Sequence, residues 1–209
     1  MGNILPNIPR FSTKDHSGQD SLWEENEMTE FNEFPKIARL SRMMTITEKI
    51  DGTNAQIFIG ENDEFLAGSR NRWITPENDN YGFAKWTMEH KDELLQLGPG
   101  RHFGEWWGLG IQRKYGLFEK RFSLFNTRKW LDDFNNMRPL CPACCSVVPV
   151  LFRGIFNTTV IESIMALLWS EGSVAAPGFM KPEGVVIYHE AAQMMFKKTV
   201  EKDESGKGI

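Results

Sequence analysis

The sequence predicts an α+β fold, made mainly of antiparallel sheets with flanking helices. Short β-like runs bounded by turn residues indicate strands, while two longer segments carry apolar residues at helical spacing. The β-like runs span 42–50, 54–59, 65–69, 102–107, 122–126, 147–152, 184–189 and 194–199. The first three follow each other directly, so they predict an antiparallel meander.

The two predicted helices carry recognisable end signals. Apolar residues near helical spacing over 82–97 precede the stop signal GPG, which favours one amphipathic helix. A second helix over about 160–169 is indicated by Thr159 and Glu162, which match a capping box. The chain also contains no internal repeat.

Length and composition predict one globular domain over residues 1–209. The 209 residues are 41% hydrophobic and 25% charged, which is ordinary for a globular protein with a substantial core. Prolines and glycines punctuate the first 35 residues, so an irregular arm with a short helix near Trp23 is expected there.

Localisation and partner class are constrained by charge and hydropathy. The sequence contains no apolar run of about 18 residues, and its acidic start is unlike a signal peptide. We therefore expect a cytoplasmic protein without membrane contact. Domains that bind polyanions over most of their surface usually carry a basic excess, and the net charge of −4 argues against this class. Several pairs of basic residues could still form local binding sites for nucleic acid.

The three cysteines lie together in CPACC, at positions 141, 144 and 145. Cys141 and Cys144 have the spacing of a zinc knuckle, but no second pair of ligands follows them. Three reduced thiols in a loop are therefore the preferred interpretation, with structural zinc as the alternative.

The segment TEKIDGTN, which contains Lys49, allows two interpretations. Asp-Gly between two apolar runs is a hairpin signal, which would leave Lys49 on the surface of a turn. Alternatively, Lys49 is a nucleophile at a strand end, where burial or nearby positive charge favours the neutral amine. Gly52 would then let the backbone turn tightly or approach a ligand closely.

Further polar and aromatic residues lie at or beside other predicted strand ends. Individually, each has an ordinary explanation as a solvated strand end, a core aromatic or a surface cation. A reaction of Lys49 at phosphorus would need such cations, carboxylates and a flat partner for a base. These residues are Arg70, Arg72, Glu105, Phe122, Phe125, Glu183, Lys197 and Lys198.

Six motifs in this order resemble those of the covalent nucleotidyltransferases, which comprise ATP-dependent RNA and DNA ligases and mRNA capping enzymes. The motifs are EKIDGTN, GSRNR, FGEWWG, RFSLFN, EGVVIY and FKKT. The first is most similar to that of the nick-sealing RNA ligase 2 family, with Glu before the lysine and Gly-Thr-Asn after it. The resemblance covers roughly residues 42–200 and implies the ATP-grasp-like nucleotidyltransferase domain of ligases.

The resemblance implies a role for each motif residue. Lys49 would attack the α-phosphate of ATP and become an AMP-lysine phosphoramidate. Glu48 and Ile50 would contact the base, Asn54 a phosphate or metal-bound water, Arg70 the ribose and phosphate, and Glu105 the ribose hydroxyls. Phe122 would stack on adenine, with Phe125 as the alternative. Glu183 would hold the metal hydrate, and Lys197 and Lys198 would contact the α-phosphate. Asp51 would contact metal-bound water or shape the turn.

ATP and Mg²⁺, with Mn²⁺ as a substitute, are the implied cofactors. Mg²⁺ usually keeps several waters and few carboxylates, which suits an isolated Glu183. Lys197 and Lys198 are adjacent where many relatives have Lys-x-Lys. Since neighbouring side chains on a strand point to opposite faces, we expect only one to reach the phosphate, and we favour Lys197.

The resemblance favours an ATP-dependent RNA ligase acting on nucleic acid with 5′-phosphate and 3′-hydroxyl ends. The strand would lie along a groove lined by Arg70, Arg72, Arg113, Lys114 and Lys120. Alternatives are a capping-type guanylyltransferase, a DNA ligase, and a non-catalytic nucleotide or nucleic-acid binding module.

Chain length is a departure from the family pattern. Relatives carry an OB domain or a helical domain after the last motif, whereas only VEKDESGKGI follows here. The expectation is therefore a stand-alone adenylation domain, and the sequence leaves open whether a partner protein supplies the missing part.

Overall fold

The computed structural model describes residues 31, 33–62, 64–131 and 140–201. The chain divides into two units, Met1–Ile37 and Ala38–Ile209. All helices and strands within the described ranges belong to the second unit. The helix expected near Trp23 and most of the irregular arm lie outside the described residues. Within them, no helix is both long and apolar enough to cross a membrane.

Sheet 1 contains the first strand and the last three. It contains β1 (Met43–Lys49), β8 (Val150–Ile155), β9 (Gly184–His189) and β10 (Met194–Thr199), in the order β10-β9-β1-β8. All of its pairings are antiparallel. β1 is thus central, and its neighbour β9 begins directly after Glu183.

Sheet 2 contains the other six strands of the described chain. These are β2 (Thr53–Ile59), β3 (Phe65–Ser69), β4 (Trp73–Ile74), β5 (Gly100–Gly108), β6 (Lys120–Leu124) and β7 (Cys145–Val147). Their order is β4-β3-β2-β5-β6-β7. Only the β6–β7 pairing among them is parallel. The α+β class with mainly antiparallel sheets is confirmed.

The expected meander was partly wrong. β2 and β3 form the predicted antiparallel pair, but β1 lies in sheet 1 and β2 in sheet 2. The Asp51-Gly52 segment is therefore a passage between two sheets, and the hairpin interpretation does not hold. The predicted strand 147–152 is likewise two strands, because the chain leaves β7 at Val147 and enters sheet 1 at Val150.

The helix expected over 82–97 is interrupted. The structure has α1 (Phe83–Glu89), α2 (Lys91–Leu94) and a 3₁₀ turn (Leu95–Leu97). At His90 the backbone leaves helical geometry, with φ −110° and ψ 18°. Phe83, Ala84 and Leu94 still face the core. The apolar spacing therefore predicted which side chains are buried, but it did not predict the break in the helix.

Two more helices follow, α3 (Thr127–Trp130) and α4 (Thr158–Glu171). α4 corresponds to the predicted second helix, but its cap is Asn157, whose side chain accepts a hydrogen bond from the Thr159 N–H at 2.8 Å. Asparagine is as good a cap as threonine, so the helix begins earlier than the capping box suggested. α4 packs on sheet 1 through Ile161, Met165 and Leu168.

Candidate active site

Lys49 and Glu183 form the centre of the site. Lys49 ends β1, and its register partner on β9 is Gly184, the residue after Glu183. The pairing of β1 with β9 therefore brings together two side chains that are 134 positions apart, with Lys49 Nζ 2.8 Å from Glu183 Oε2. Their side chains are 24% and 17% exposed, so a ligand can reach a pair that is largely shielded from water.

Beside this pair, the carboxylate of Glu105 accepts hydrogen bonds from Gly52 and Asn54, and we call these three residues the cradle. Its Oε1 accepts a hydrogen bond from the Gly52 N–H, and its Oε2 accepts one from Asn54 Nδ2, both at 3.0 Å. The β2–β5 register places Asn54 directly opposite Glu105. The cradle thus connects the segment after Lys49 to sheet 2.

Gly52 is required by packing against β5. A Cβ at this position would lie 2.7 Å from the Trp107 Cβ and 3.1 Å from the Glu105 Cγ, and would collide with the Trp106 carbonyl oxygen. The absence of a side chain therefore lets the passage between the sheets lie flat on β5. This close approach is to the protein's own backbone, whereas the sequence suggested a tight turn or approach to a ligand.

Burial dominates the ionisation of Glu105. The residue is 7% exposed, and its burial raises the pKa to about 7, although the positive charge of Lys49 and the hydrogen bonds from Gly52 and Asn54 lower it. The negative charge of Glu183 is a further, smaller contribution that raises this pKa. Near neutral pH, Glu105 therefore exchanges readily between its charged and neutral forms.

This pKa predicts a pH-dependent stability. The folded state holds the proton of Glu105 up to about pH 7, whereas the unfolded chain releases it near pH 4.5. The free energy of unfolding should therefore fall as pH rises between these values, by at most about 3 kcal/mol. Urea unfolding at pH 5 and pH 8 should show a smaller loss for Glu105→Gln than for the wild type, by about 2 kcal/mol.

Exposed Glu89 provides the matched control, since Glu89→Gln should leave the pH dependence unchanged. An equal pH-dependent loss in wild type and Glu105→Gln would contradict the assignment. Glu48, whose pKa burial also raises, adds to the loss in both proteins and so does not affect the difference between them.

Glu48 holds a distant loop in place. The residue is 1% exposed, and its carboxylate accepts hydrogen bonds from Ser173 Oγ and from the N–H groups of Val174 and Ala175. The sequence suggested that Glu48 contacts the base. Its side chain is instead fully engaged within the protein, so a base contact at this position is left to the backbone.

Asp51 and its partners link four segments of the chain around the site. The Asp51 N–H donates to Tyr115 Oη at 2.7 Å, and its carboxylate accepts from Arg113 Nε at 2.9 Å. Arg113 also donates to the Lys181 carbonyl and pairs with Glu201 at 3.5 Å. Arg113 was expected in the nucleic-acid groove, but its guanidinium is committed to joining these chain segments.

Tyr115 and Ser173 are site residues that the sequence did not identify. Tyr115 has a φ of 50° in the β5–β6 connection, where Gln112 and Lys114 also have positive φ values. Such strained backbone is a common feature of functional loops. Neither residue belongs to a recognisable motif. Tyr115 is hydrogen-bonded to Asp51 and Ser173 to Glu48, and both partners are far away in sequence.

Phe122 and Phe125 lie on different sides of sheet 2. Phe122 is fully buried and packs against Phe83 on α1, with ring centroids 5.1 Å apart. Glu105 pairs with Ser123, so Phe122 faces away from the cradle, while Phe125 is on the same side as Ser123 and is 41% exposed. The preference for Phe122 as the stacking residue is therefore corrected, because its ring belongs to the core.

Ile50 also belongs to a core cluster. It is 4% exposed and packs in a group with Trp107, Tyr115 and Val148. As with Glu48, this packing leaves the backbone as the part of the residue that can contact a base.

The adjacent lysines of β10 point in opposite directions. Lys197 pairs with Val186, which in turn pairs with Thr47, two residues before Lys49. Residues directly opposite in a sheet share a face, so Lys197 shares the face of Lys49. Lys198 instead forms an ion pair with Glu162 of α4 at 3.2 Å.

The other basic residues expected in the groove lie on different loops and strands. Arg70 is exposed in the turn after β3, and Lys114 is exposed in the β5–β6 connection. Arg72 donates to the Asn78 carbonyl at 3.0 Å, and Lys120 to the Tyr81 carbonyl at 2.6 Å. Arg72 and Lys120 therefore also stabilise local loops.

The cysteine cluster lies at the edge of sheet 2. The Sγ atoms of Cys144 and Cys145 are 3.9 Å apart, and burial raises the pKa of all three thiols. Within the ranges that the structure describes, no three histidine, cysteine, aspartate or glutamate side chains are arranged to hold a metal ion.

The sequence model of the RNA ligase family matches residues 42–203, which include all the site residues described above. The chain belongs to the RNA ligase family. No curated protein matches it significantly.

Solved RNA ligases of Naegleria gruberi have the same fold as this family member. A mutant with AMP and Mn has a TM-score of 0.57 at 18% identity, with 80% of this chain and 53% of that chain covered. The enzyme with PPi gives 0.53 at 20% identity, covering 79% and 53%. A mutant with ATP and Mn gives 0.51 at 20% identity, covering 75% and 48%. The chain thus spans about half the length of these ligases.

Proposed function

We propose that this protein is an ATP-dependent RNA ligase that works through an AMP-lysine. ATP adenylates Lys49, the AMP passes to a 5′-phosphate end, and a 3′-hydroxyl then displaces AMP to join the strands. The observation that carries the proposal is the 2.8 Å contact of Lys49 with Glu183, which unites two of the ordered motifs. Membership of the RNA ligase family supports it.

The first step makes one bond and breaks another. The Lys49 Nζ lone pair attacks the α-phosphorus of ATP, and the bond from that phosphorus to the bridging oxygen of the β-phosphate breaks. Pyrophosphate leaves with the bond electrons. The ammonium must first lose a proton to become nucleophilic, and the Glu183 carboxylate is the group in contact with that proton.

The neighbouring side chains suit the parts of the nucleotide. Glu105 and Asn54 offer hydrogen-bond partners for the ribose hydroxyls and a phosphate. Lys197, on the face of Lys49, offers a point charge for the α-phosphate, and exposed Arg70 a planar donor for phosphate oxygens. Phe125, on the side of the cradle, replaces Phe122 as our choice for stacking on adenine.

Glu183 and Asp51 fit a magnesium ion, or manganese in its place. Both present carboxylate oxygens, the donor type that hard cations prefer, and Mg²⁺ requires few of them because it retains water. The metal supplies neutralisation of phosphate charge when bound. Lys49 and Arg113 form ion pairs with these two carboxylates.

Labelling with α-labelled ATP and α-labelled GTP in parallel tests the proposal. We expect covalent label from ATP alone, with mass spectrometry of peptides locating AMP on Lys49. Covalent label from GTP would indicate a guanylyltransferase. Bound ATP without covalent label would indicate a non-catalytic module, and either result would overturn the proposal.

Joining assays on single-stranded RNA, nicked RNA, nicked DNA and mixed duplexes then define the substrate. Sealing of RNA ends that carry a 5′-phosphate and a 3′-hydroxyl is expected. Sealing of DNA alone would indicate a DNA ligase.

A further inference from the structure

An exposed aromatic platform lies on sheet 2 beside the cradle. We define it as Phe58 on β2, Trp73 on β4, and Arg101 and Phe103 on β5. Trp73 is 43% and Phe103 51% exposed. Exposed aromatic side chains that cluster on one face of a sheet require an explanation, because single scattered ones are the norm.

The platform continues the face that carries the cradle. Along β2, the alternate residues Ala55, Ile57 and Ile59 point into the core. Asn54 and Phe58 therefore point the other way. In the β2–β5 register, Asn54 pairs with Glu105 and Phe58 with Arg101.

The distance from the cradle to the platform is short. Phe103 is two residues from Glu105 on β5, and Arg101 is four residues away. At about 3.4 Å per residue, the platform begins about 7 Å from the cradle and extends to about 14 Å along the strand.

Arg101 organises the platform. Its guanidinium lies 5.0 Å from the ring centroid of Phe58 and 5.2 Å from that of Trp73, and it donates to Gln56 Oε1 at 3.2 Å. Cation–π contacts of this kind weakly favour this arrangement at exposed sites. The two aromatic rings and the positive charge thus lie together on one face of sheet 2.

Gly68 makes room for the Trp73 ring. A Cβ at Gly68 would lie 2.7 Å from Gln56 Cγ and 3.0 Å from Trp73 Cε3. Gly68 pairs with both Gln56 and Trp73, so any side chain there would displace the indole. The glycine lets the indole lie close to the sheet and to Arg101.

We propose that this platform binds unpaired bases of the RNA strand next to the joining site. Flat exposed rings stack on bases of any sequence, and a neighbouring guanidinium suits both the bases and the phosphate backbone. A paired duplex stacks its bases internally and offers them no such access. This inference rests on the proposed function, because it takes RNA as the substrate at the adjacent cradle.

The test measures binding of a short fluorescent oligoadenylate by anisotropy. Trp73→Ala should weaken binding by about fivefold to a hundredfold, the range expected for one lost base stack. Trp73→Phe should retain most of the affinity because a ring remains. Trp169→Ala is the matched control, since Trp169 is 67% exposed on α4, which packs against sheet 1, and its loss should have no effect.

Three results would overturn the proposed role of the platform. Trp73→Ala could bind oligoadenylate with the affinity of the wild type, or Trp169→Ala could lose as much affinity as Trp73→Ala. The third result is that the wild type binds a blunt RNA duplex more tightly than oligoadenylate. Labelling by ATP, measured in parallel, should be unchanged in Trp73→Ala. Failure of the wild type to become labelled would reject the proposed function, while the binding series would still decide the platform.

Discussion

Replacing Lys49 by arginine is expected to abolish covalent labelling by ATP, with a loss of about three orders of magnitude or more. Arginine keeps the positive charge and can still pair with Glu183. A guanidinium does not lose its proton in proteins, so it cannot act as the nucleophile. The substitution therefore separates the charge of Lys49 from its reactivity. Label transfer from α-labelled ATP is the measurement.

An RNA whose 5′ end already carries AMP provides a second measurement. Joining of this substrate bypasses the attack of Lys49 on ATP, so Lys49→Arg should retain measurable joining while losing label. Lys85→Arg, on the exposed side of α1, is the control and should label normally. Normal labelling of Lys49→Arg would mean that another residue is the nucleophile.

Replacing Glu48 by alanine is expected to cost about 3–5 kcal/mol of unfolding free energy. The change leaves the Ser173 hydroxyl and the N–H groups of Val174 and Ala175 without their buried acceptor, and each unsatisfied group costs about 1–3 kcal/mol. Glu48→Gln should cost clearly less, because an amide oxygen still accepts hydrogen bonds. Urea unfolding gives both values.

Glu89→Ala controls for the loss of a glutamate, since Glu89 is exposed on α1. A change of less than about 1 kcal/mol is expected there. If Glu48→Ala were as mild as Glu89→Ala, the buried network would not stabilise the loop at 173–176. If Glu48→Gln were as severe as Glu48→Ala, one amide oxygen would not be able to replace the two acceptor oxygens of the carboxylate.

The fold class could be predicted because strand and helix periodicities are local. β2, β3, β9 and β10 lie within a residue of their expected bounds, since alternation is complete within each segment. The sheet to which a strand belongs, in contrast, is not determined by the local sequence. β1 and β2 are separated by three residues, yet they lie in different sheets, and no short-range signal distinguishes that passage from a hairpin.

The two phenylalanines of RFSLFN show the same limit within the site. Phe125 directly follows β6, and its N–H still pairs with the Phe103 carbonyl of β5. Alternation along this stretch lets only one of two residues three positions apart face a ligand. Which one does so depends on the other face of sheet 2, where α1 supplies the apolar partners of Phe122. The adjacent lysines differ because Glu162 of α4 lies on the side of Lys198. The sequence favoured Lys197 over Lys198, and that choice remains a prediction.

Periodicity and ordered motifs were sufficient to predict an α+β fold and to indicate a family, because each of these signals is contained within a short segment of the chain. Only the folded chain decided the partners of those motifs. Lys49 meets Glu183 across 134 positions, and Glu48 meets Ser173 across 125. Arg113 became a link between segments for the same reason, because the acceptors that surround a charge are set by packing in three dimensions.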